Sequence, residues 1–83
     1  MLGALLATSV QAAPPDFCRD YARSAVDQAR FGYSQRFCAE GMGGARWNSD
    51  WRAHYEWCRG APYEAVERER SIRHHYLERC RYR

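Results

Sequence analysis

Apolar and small residues fall at helical spacing in three stretches of this chain. In the first, from about Asp16 to Arg30, Cys18, Tyr21, Ala22, Ala25 and Ala29 share one face, with Val26 at its edge and Pro14 and Pro15 ahead of it. That stripe is mostly small, so a neighbouring helix can approach closely. The second starts at an N-cap on Asn48 or Ser49, carries Asp50 in its positive first turn and stops at Gly60. Trp51, His54 and Cys58 lie on one side of it, Trp47 leads into that side, and Tyr55 and Trp57 flank it.

Pro62 suits the first turn of the third helix, whose early Glu64 and Glu67 and late Arg79, Arg81 and Arg83 complement the helix dipole. Ala65, Ile72, Tyr76 and Cys80 trace its apolar side, with Val66 and Leu77 beside them. Glu64 to Arg68 and Glu69 to Arg73 are i,i+4 pairs, each worth ~0.2 to 0.5 kcal/mol when exposed. Between the first two helices, GYSQRFCAEGMGGAR contains Gly32, Gly41, Gly43 and Gly44 and predicts a connection without regular structure, with Cys38 inside it. The expected fold is all-α: a three-helix up-down-up bundle with a Gly-rich connection.

Cys18, Cys38, Cys58 and Cys80 form an even set in a short chain, with no C-x-x-C among them, which favours disulfides over a local metal knuckle. In an up-down-up bundle Cys18 begins helix one and Cys58 ends helix two, so both lie at one end of the molecule. Cys38 and Cys80 lie at the other. Pairing Cys18 with Cys80 would bring two sites a long helix apart within the ~7 Å Cα limit of a disulfide. The expected pairs are therefore Cys18–Cys58 and Cys38–Cys80.

Composition separates the ends of the chain. Residues 1–13, MLGALLATSVQAA, are uncharged and mostly apolar and close on small residues that fit a signal-peptidase site after Ala12 or Ala13, although no Lys or Arg supplies the usual positive start. The apolar run from Met1 to Val10 is shorter than the roughly 20 residues of a membrane span. We expect a signal peptide over 1–13, a disulfide-stapled helical domain over 14–83 with no transmembrane segment, and a periplasmic or secreted location. With 83 residues there is room for one modest core. All thirteen basic residues are arginine, and the net charge of +3 is a mild excess that a solvated surface explains.

Few residues point to chemistry. His54 lies four residues after Asp50 and four before Cys58 on the inner side of helix two, so Asp50 can orient the imidazole, either as a packed pair or to present its other nitrogen to a ligand. Glu69 interrupts the apolar side of helix three and needs a partner, for which Arg73 or Arg46 is placed; Glu69 and Arg73 are the candidate buried polar residues. Adjacent His74 and His75 point about 100° apart on a helix, which is awkward for chelating one ion. Arg46, Trp47, Asp50, His54, Tyr55 and Trp57 form the candidate ligand-binding set, in which aromatic faces beside arginines stack sugars or other flat groups. No phosphate loop, H-E-x-x-H or nucleophile elbow is present, so no catalytic residue, metal ligand set or cofactor is assigned.

The pattern Cys18-x-x-Tyr21-Ala22, then Gly44-x-Arg46-Trp47-x-x-Asp50-x-x-x-His54-x-x-Trp57-Cys58, and a last helix ending at Cys80, resembles a four-cysteine segment of small, uncharacterised exported proteins of proteobacteria. The resemblance implies a periplasmic or secreted location and carries no activity with it. The function expected is a non-enzymatic binding or accessory protein of the cell envelope whose partner is an envelope protein or an anionic or glycan ligand, nucleic acid being disfavoured. The alternatives are a structural or effector-like miniprotein that docks on another protein, and a small metal or redox protein using His54 and cysteines.

Overall fold

A computed structural model of the chain describes residues 12–82. Most of the expected leader therefore lies outside the described residues. Those residues form four helices and no strand: α1 Pro15–Tyr33, α2 Arg36–Ala39, α3 Trp51–Arg59 and α4 Tyr63–Cys80, with a 3-10 turn at Ala45–Trp47. None of them is long and apolar enough to cross a membrane.

Local chemistry accounts for most of the boundaries. Pro15 opens α1, where a missing N–H costs nothing, and Asp16 adds negative charge to the same positive turn. The helix continues past Arg30 to Tyr33, where the Ser34 N–H turns back to the carbonyls of Arg30 and Phe31 and its hydroxyl donates to the Phe31 carbonyl. The start of α3 differs from expectation by one or two positions. Asp50 is the cap itself, its Oδ1 accepting from the Arg52 N–H at 3.1 Å, while the Asn48 Oδ1 accepts from the Asp50 N–H at 2.8 Å. Gly60 ends α3, and Pro62 stands one position outside α4 as its N-cap.

The connection after α1 is more ordered than its glycines predict. Cys38 lies in the one-turn helix α2, closed by the Ala39 N–H to the Gln35 carbonyl at 2.9 Å. The Tyr76 hydroxyl holds that turn to α4 by donating to the Cys38 carbonyl at 2.7 Å. Irregular backbone is confined to the stretch after it, where Gly44 adopts φ 79° and ψ −175°, a conformation open in practice only to glycine.

Both disulfides are those derived from helix geometry, and no cysteine is free. Each sits in its own small core. One core gathers Ala13, Cys18, Tyr21, Ala25, Cys58, Ala61 and Val66; the other gathers Ala29, Cys38, Trp47, Leu77 and Cys80. Ala13 belongs to the folded unit: its side chain is buried, and its carbonyl accepts from Arg59 Nε at 3.2 Å. Ala12 pairs with Pro62 in an isolated bridge.

The inner face of α4 is rotated from the expected one. Val66, Arg73, Leu77 and Cys80 are its buried residues, whereas Ala65, Ile72 and Tyr76 are only half-buried. Arg73 can occupy that stripe because its stem packs inward and its guanidinium lies over the Tyr21 ring, 4.9 Å from the centroid.

Candidate functional site

α3 and α4 both pack against α1 and hardly touch each other. The small residues of the α1 face let the two approach closely, and the disulfides fix them separately: Cys18–Cys58 ties α3 to α1, and Cys38–Cys80 ties α4 to α2. Between the two walls is a cleft of about 320 Å³. Tyr21 of α1 forms its floor, Ala53, His54 and Trp57 line the α3 side, and Glu69 and Arg73 line the α4 side. Ala45, Arg46 and Asn48 close one end.

Across that end, Arg46 and Glu69 form a two-pronged ion pair, Nε to Oε1 at 2.9 Å and Nη2 to Oε2 at 3.0 Å. The Arg46 fork holds the Glu69 carboxyl below the usual carboxylate range, outweighing the opposing effect of partial burial. Both sequence-assigned partners of Glu69 are engaged, since Arg73 Nη1 also lies 3.7 Å from Oε1. Arg46 takes the larger share.

Arg73, a candidate buried polar residue, is buried. Its side chain is 1% exposed, and its Nε donates to Gln28 Oε1 at 2.7 Å. Gln28 is held from its other end, where Nε2 donates to the Arg70 carbonyl at 3.5 Å. Arg73 Nη2 is buried and has no hydrogen-bond partner among the described residues. Burial raises the Tyr21 phenol above its ordinary pKa, with a hydrogen bond to Arg73 and the charge of that residue offsetting part of the rise. The floor of the cleft is therefore neutral.

His54 is 5% exposed, and its Nε2 lies 2.6 Å from the Asn48 carbonyl oxygen, so Nε2 carries the proton and donates. Burial pushes its pKa below 6.5, and the ring is neutral near pH 7 with Nδ1 as its acceptor nitrogen. The Asn48 backbone carbonyl orients the imidazole; the Asp50 side chain accepts from the Arg52 N–H instead.

Of the six expected ligand-binding residues, Arg46, His54 and Trp57 meet at the cleft. Trp57 packs on Tyr21, ring centroids 5.8 Å apart, yet remains 43% exposed. Trp47, Asp50 and Tyr55 lie elsewhere. Trp47 is buried in the second core against Tyr76, Asp50 caps α3, and Tyr55 packs on the first core with its ring stacked on exposed Trp51. Sequence reasoning missed the floor residue Tyr21, whereas Arg73, a candidate buried polar residue, is buried as expected. The signal for Arg73 was its place seven residues after Val66 and seven before Cys80, on one helical face.

No group of three His, Cys, Asp or Glu side chains converges as a metal site among the described residues, and the disulfides leave no thiolate to bind one. His74 and His75 are exposed with ring centroids 5.4 Å apart. The cleft brings together the exposed ring of Trp57, a buried guanidinium and a fixed ion pair. A scan against family models and searches of curated proteins and solved structures find no match to this chain, so its site is read from its own geometry.

Proposed function

We propose that this protein is a non-catalytic binding module working outside the cytosol, and that the cleft between α3 and α4 takes its ligand. The observation that carries this reading is the cleft itself, with the exposed ring of Trp57 on its α3 side and the Arg46–Glu69 ion pair fixed across its end. A volume of about 320 Å³ lies at the lower end of the range for small-molecule sites, and the lining combines the aromatic face of Trp57 with several polar side chains. In this reading the three long helices run up, down and up, and the covalent links at opposite ends hold the cleft open.

Two disulfides are consistent with an oxidising compartment. They support export, as does the resemblance to exported four-cysteine proteins. Burial of Ala13 favours cleavage after Ala12 over cleavage after Ala13, because only the former leaves that residue and its carbonyl in the core. The test is retention of small molecules and glycans from an envelope extract by the oxidised protein, compared with Trp57→Ala. Loss of a retained compound in the variant supports the cleft; equal retention by both proteins, or none by either, rejects it.

A further inference from the structure

We propose that the end of the molecule closed by Cys38–Cys80 docks on an anionic phospholipid surface, a role separate from that of the cleft. α1 and α4 both run toward this end, and the disulfide holds α2 beside them. Gly32 lets them meet closely, because a Cβ there would stand 2.5 Å from Met42 Sδ and 3.0 Å from Leu77 Cδ2. The last turns of α1 and α4 are thereby gathered with α2 at one end.

Charge is concentrated there. Over residues 30–40 and 77–82, Arg30, Arg36, Arg79 and Arg81 stand against Glu40 and Glu78, while the other described residues balance at eight arginines and eight carboxylates. The net positive charge of the described residues therefore belongs to one end. Arg30, Arg36 and Arg79 are exposed and form no ion pair among the described residues. Arg81 Nη1 lies 3.7 Å from Glu78 Oε2, beyond hydrogen-bond reach.

The negative ends of the helix dipoles account for a basic residue in the last turn of α1 and of α4. They do not account for the rings beside them. Phe31, Tyr33, Phe37 and Tyr82 are four of the seven large apolar side chains exposed among the described residues, and all four are at this end. The arginines lie against them: the guanidinium of Arg36 is 5.5 Å from the Phe37 centroid, and that of Arg81 is 5.8 Å from Phe31 and 4.9 Å from Tyr82. Rings interleaved with forked cations fit the headgroup layer of a bilayer, where the ring bodies reach the acyl boundary and guanidinium groups meet phosphates. Charge complementarity selects an anionic surface over a neutral one. An acidic protein chain fits less well, because the open hollow beside Phe31 and Arg81 is lined by the carboxylates of Asp27 and Glu78.

The experiment measures cosedimentation of the oxidised protein with vesicles of phosphatidylcholine alone and of phosphatidylcholine mixed with phosphatidylglycerol. Two net charges at about fivefold each predict a preference of about 25-fold for the anionic vesicles. Arg36→Gln with Arg81→Gln leaves this end without net charge and should bring the two partitions together. Arg19→Gln with Arg23→Gln removes the same charge from the first half of α1, about 15 Å or more down the helix and beyond the Debye length of about 10 Å at about 0.1 M salt. That variant should keep most of the preference. Phe37→Ser with Tyr82→Ser should weaken binding to the anionic vesicles severalfold, and a parent-like helical spectrum confirms the fold of each variant. Equal partition of the parent onto both vesicles, no cosedimentation with either, or an equal loss in the Arg19 and Arg23 variant overturns the proposal. Retention on immobilised polyglutamate without vesicle binding also overturns it and assigns this end to an acidic protein. The extract comparison with Trp57→Ala decides the cleft separately.

Discussion

Removing one disulfide at a time measures how much of this fold is covalent. The variants are Cys18→Ala with Cys58→Ala, and Cys38→Ala with Cys80→Ala. The bonds span 40 and 42 residues, for which loop-closure entropy gives about 4 kcal/mol each. The two loops overlap between residues 38 and 58, so the second bond closes a chain already shortened by the first. That correction is logarithmic and amounts to about 0.2 kcal/mol. Together the bonds contribute roughly 8 kcal/mol, against a net stability of about 4 to 10 kcal/mol for a domain of about 70 residues. The cores are too small to absorb the loss, since the α1 stripe is built largely from alanine and the largest fully buried side chains are Arg73 and Tyr21. Either double variant should therefore melt roughly 16 to 32 °C below the parent in a circular dichroism scan, at roughly 4 to 8 °C per kcal/mol. The four-alanine variant should show no cooperative transition at physiological temperature. If one-bond variants melt within about 5 °C of the parent, the noncovalent core is much stronger than argued here.

Gly44→Ala should cost about 1 to 3 kcal/mol, because φ 79° with ψ −175° is strained for any L side chain; an unchanged denaturation midpoint would contradict that backbone. A chain begun at Pro14 should be about 1 to 2 kcal/mol less stable than one begun at Ala12, having lost the buried Ala13 methyl and the acceptor for Arg59 Nε. Equal melting temperatures would show that Ala13 only rests on the core. Stability should fall on acidification. His54 has a folded pKa below 6.5, so the unfolded chain binds its proton first as the pH drops through that value, and stability present above 6.5 is lost toward the folded pKa. Glu69, with a folded pKa below 4.5, adds a second loss at lower pH. Denaturation midpoints that stay flat from about pH 7 to about pH 5 in the parent would refute the His54 part, and a His54→Gln variant should lack that slope.

What was legible in the sequence depended on how local its cause was. The cysteine pairing could be derived because each cysteine lies near a helix end, and only one pairing puts partners at the same end. The caps of α3 and the start of α4 were placed to within one or two residues because Asp50, Gly60 and Pro62 act through their immediate neighbours. α2 was hidden by the glycines around it, although its four residues contain none. Arg73 was a candidate buried polar residue, but the partners that bury it were hidden: Tyr21 and Gln28 lie more than forty positions earlier. The partner of His54 was also out of reach of helical spacing, since the Asn48 carbonyl that holds it lies before α3 begins. The cleft depends on α3 and α4 packing on α1 rather than on each other, which no single periodicity reveals.

The separate attachment of the two cleft walls is the claim on which the site depends, and a disulfide map of protein recovered from its own compartment tests it most directly. Digestion without reductant followed by mass spectrometry should yield one peptide pair joining Cys18 to Cys58, another joining Cys38 to Cys80, and no alkylated thiol. Free thiols at these four positions, or a Cys18–Cys38 or Cys18–Cys80 linkage, would place α3 and α4 differently on α1 and contradict the cleft.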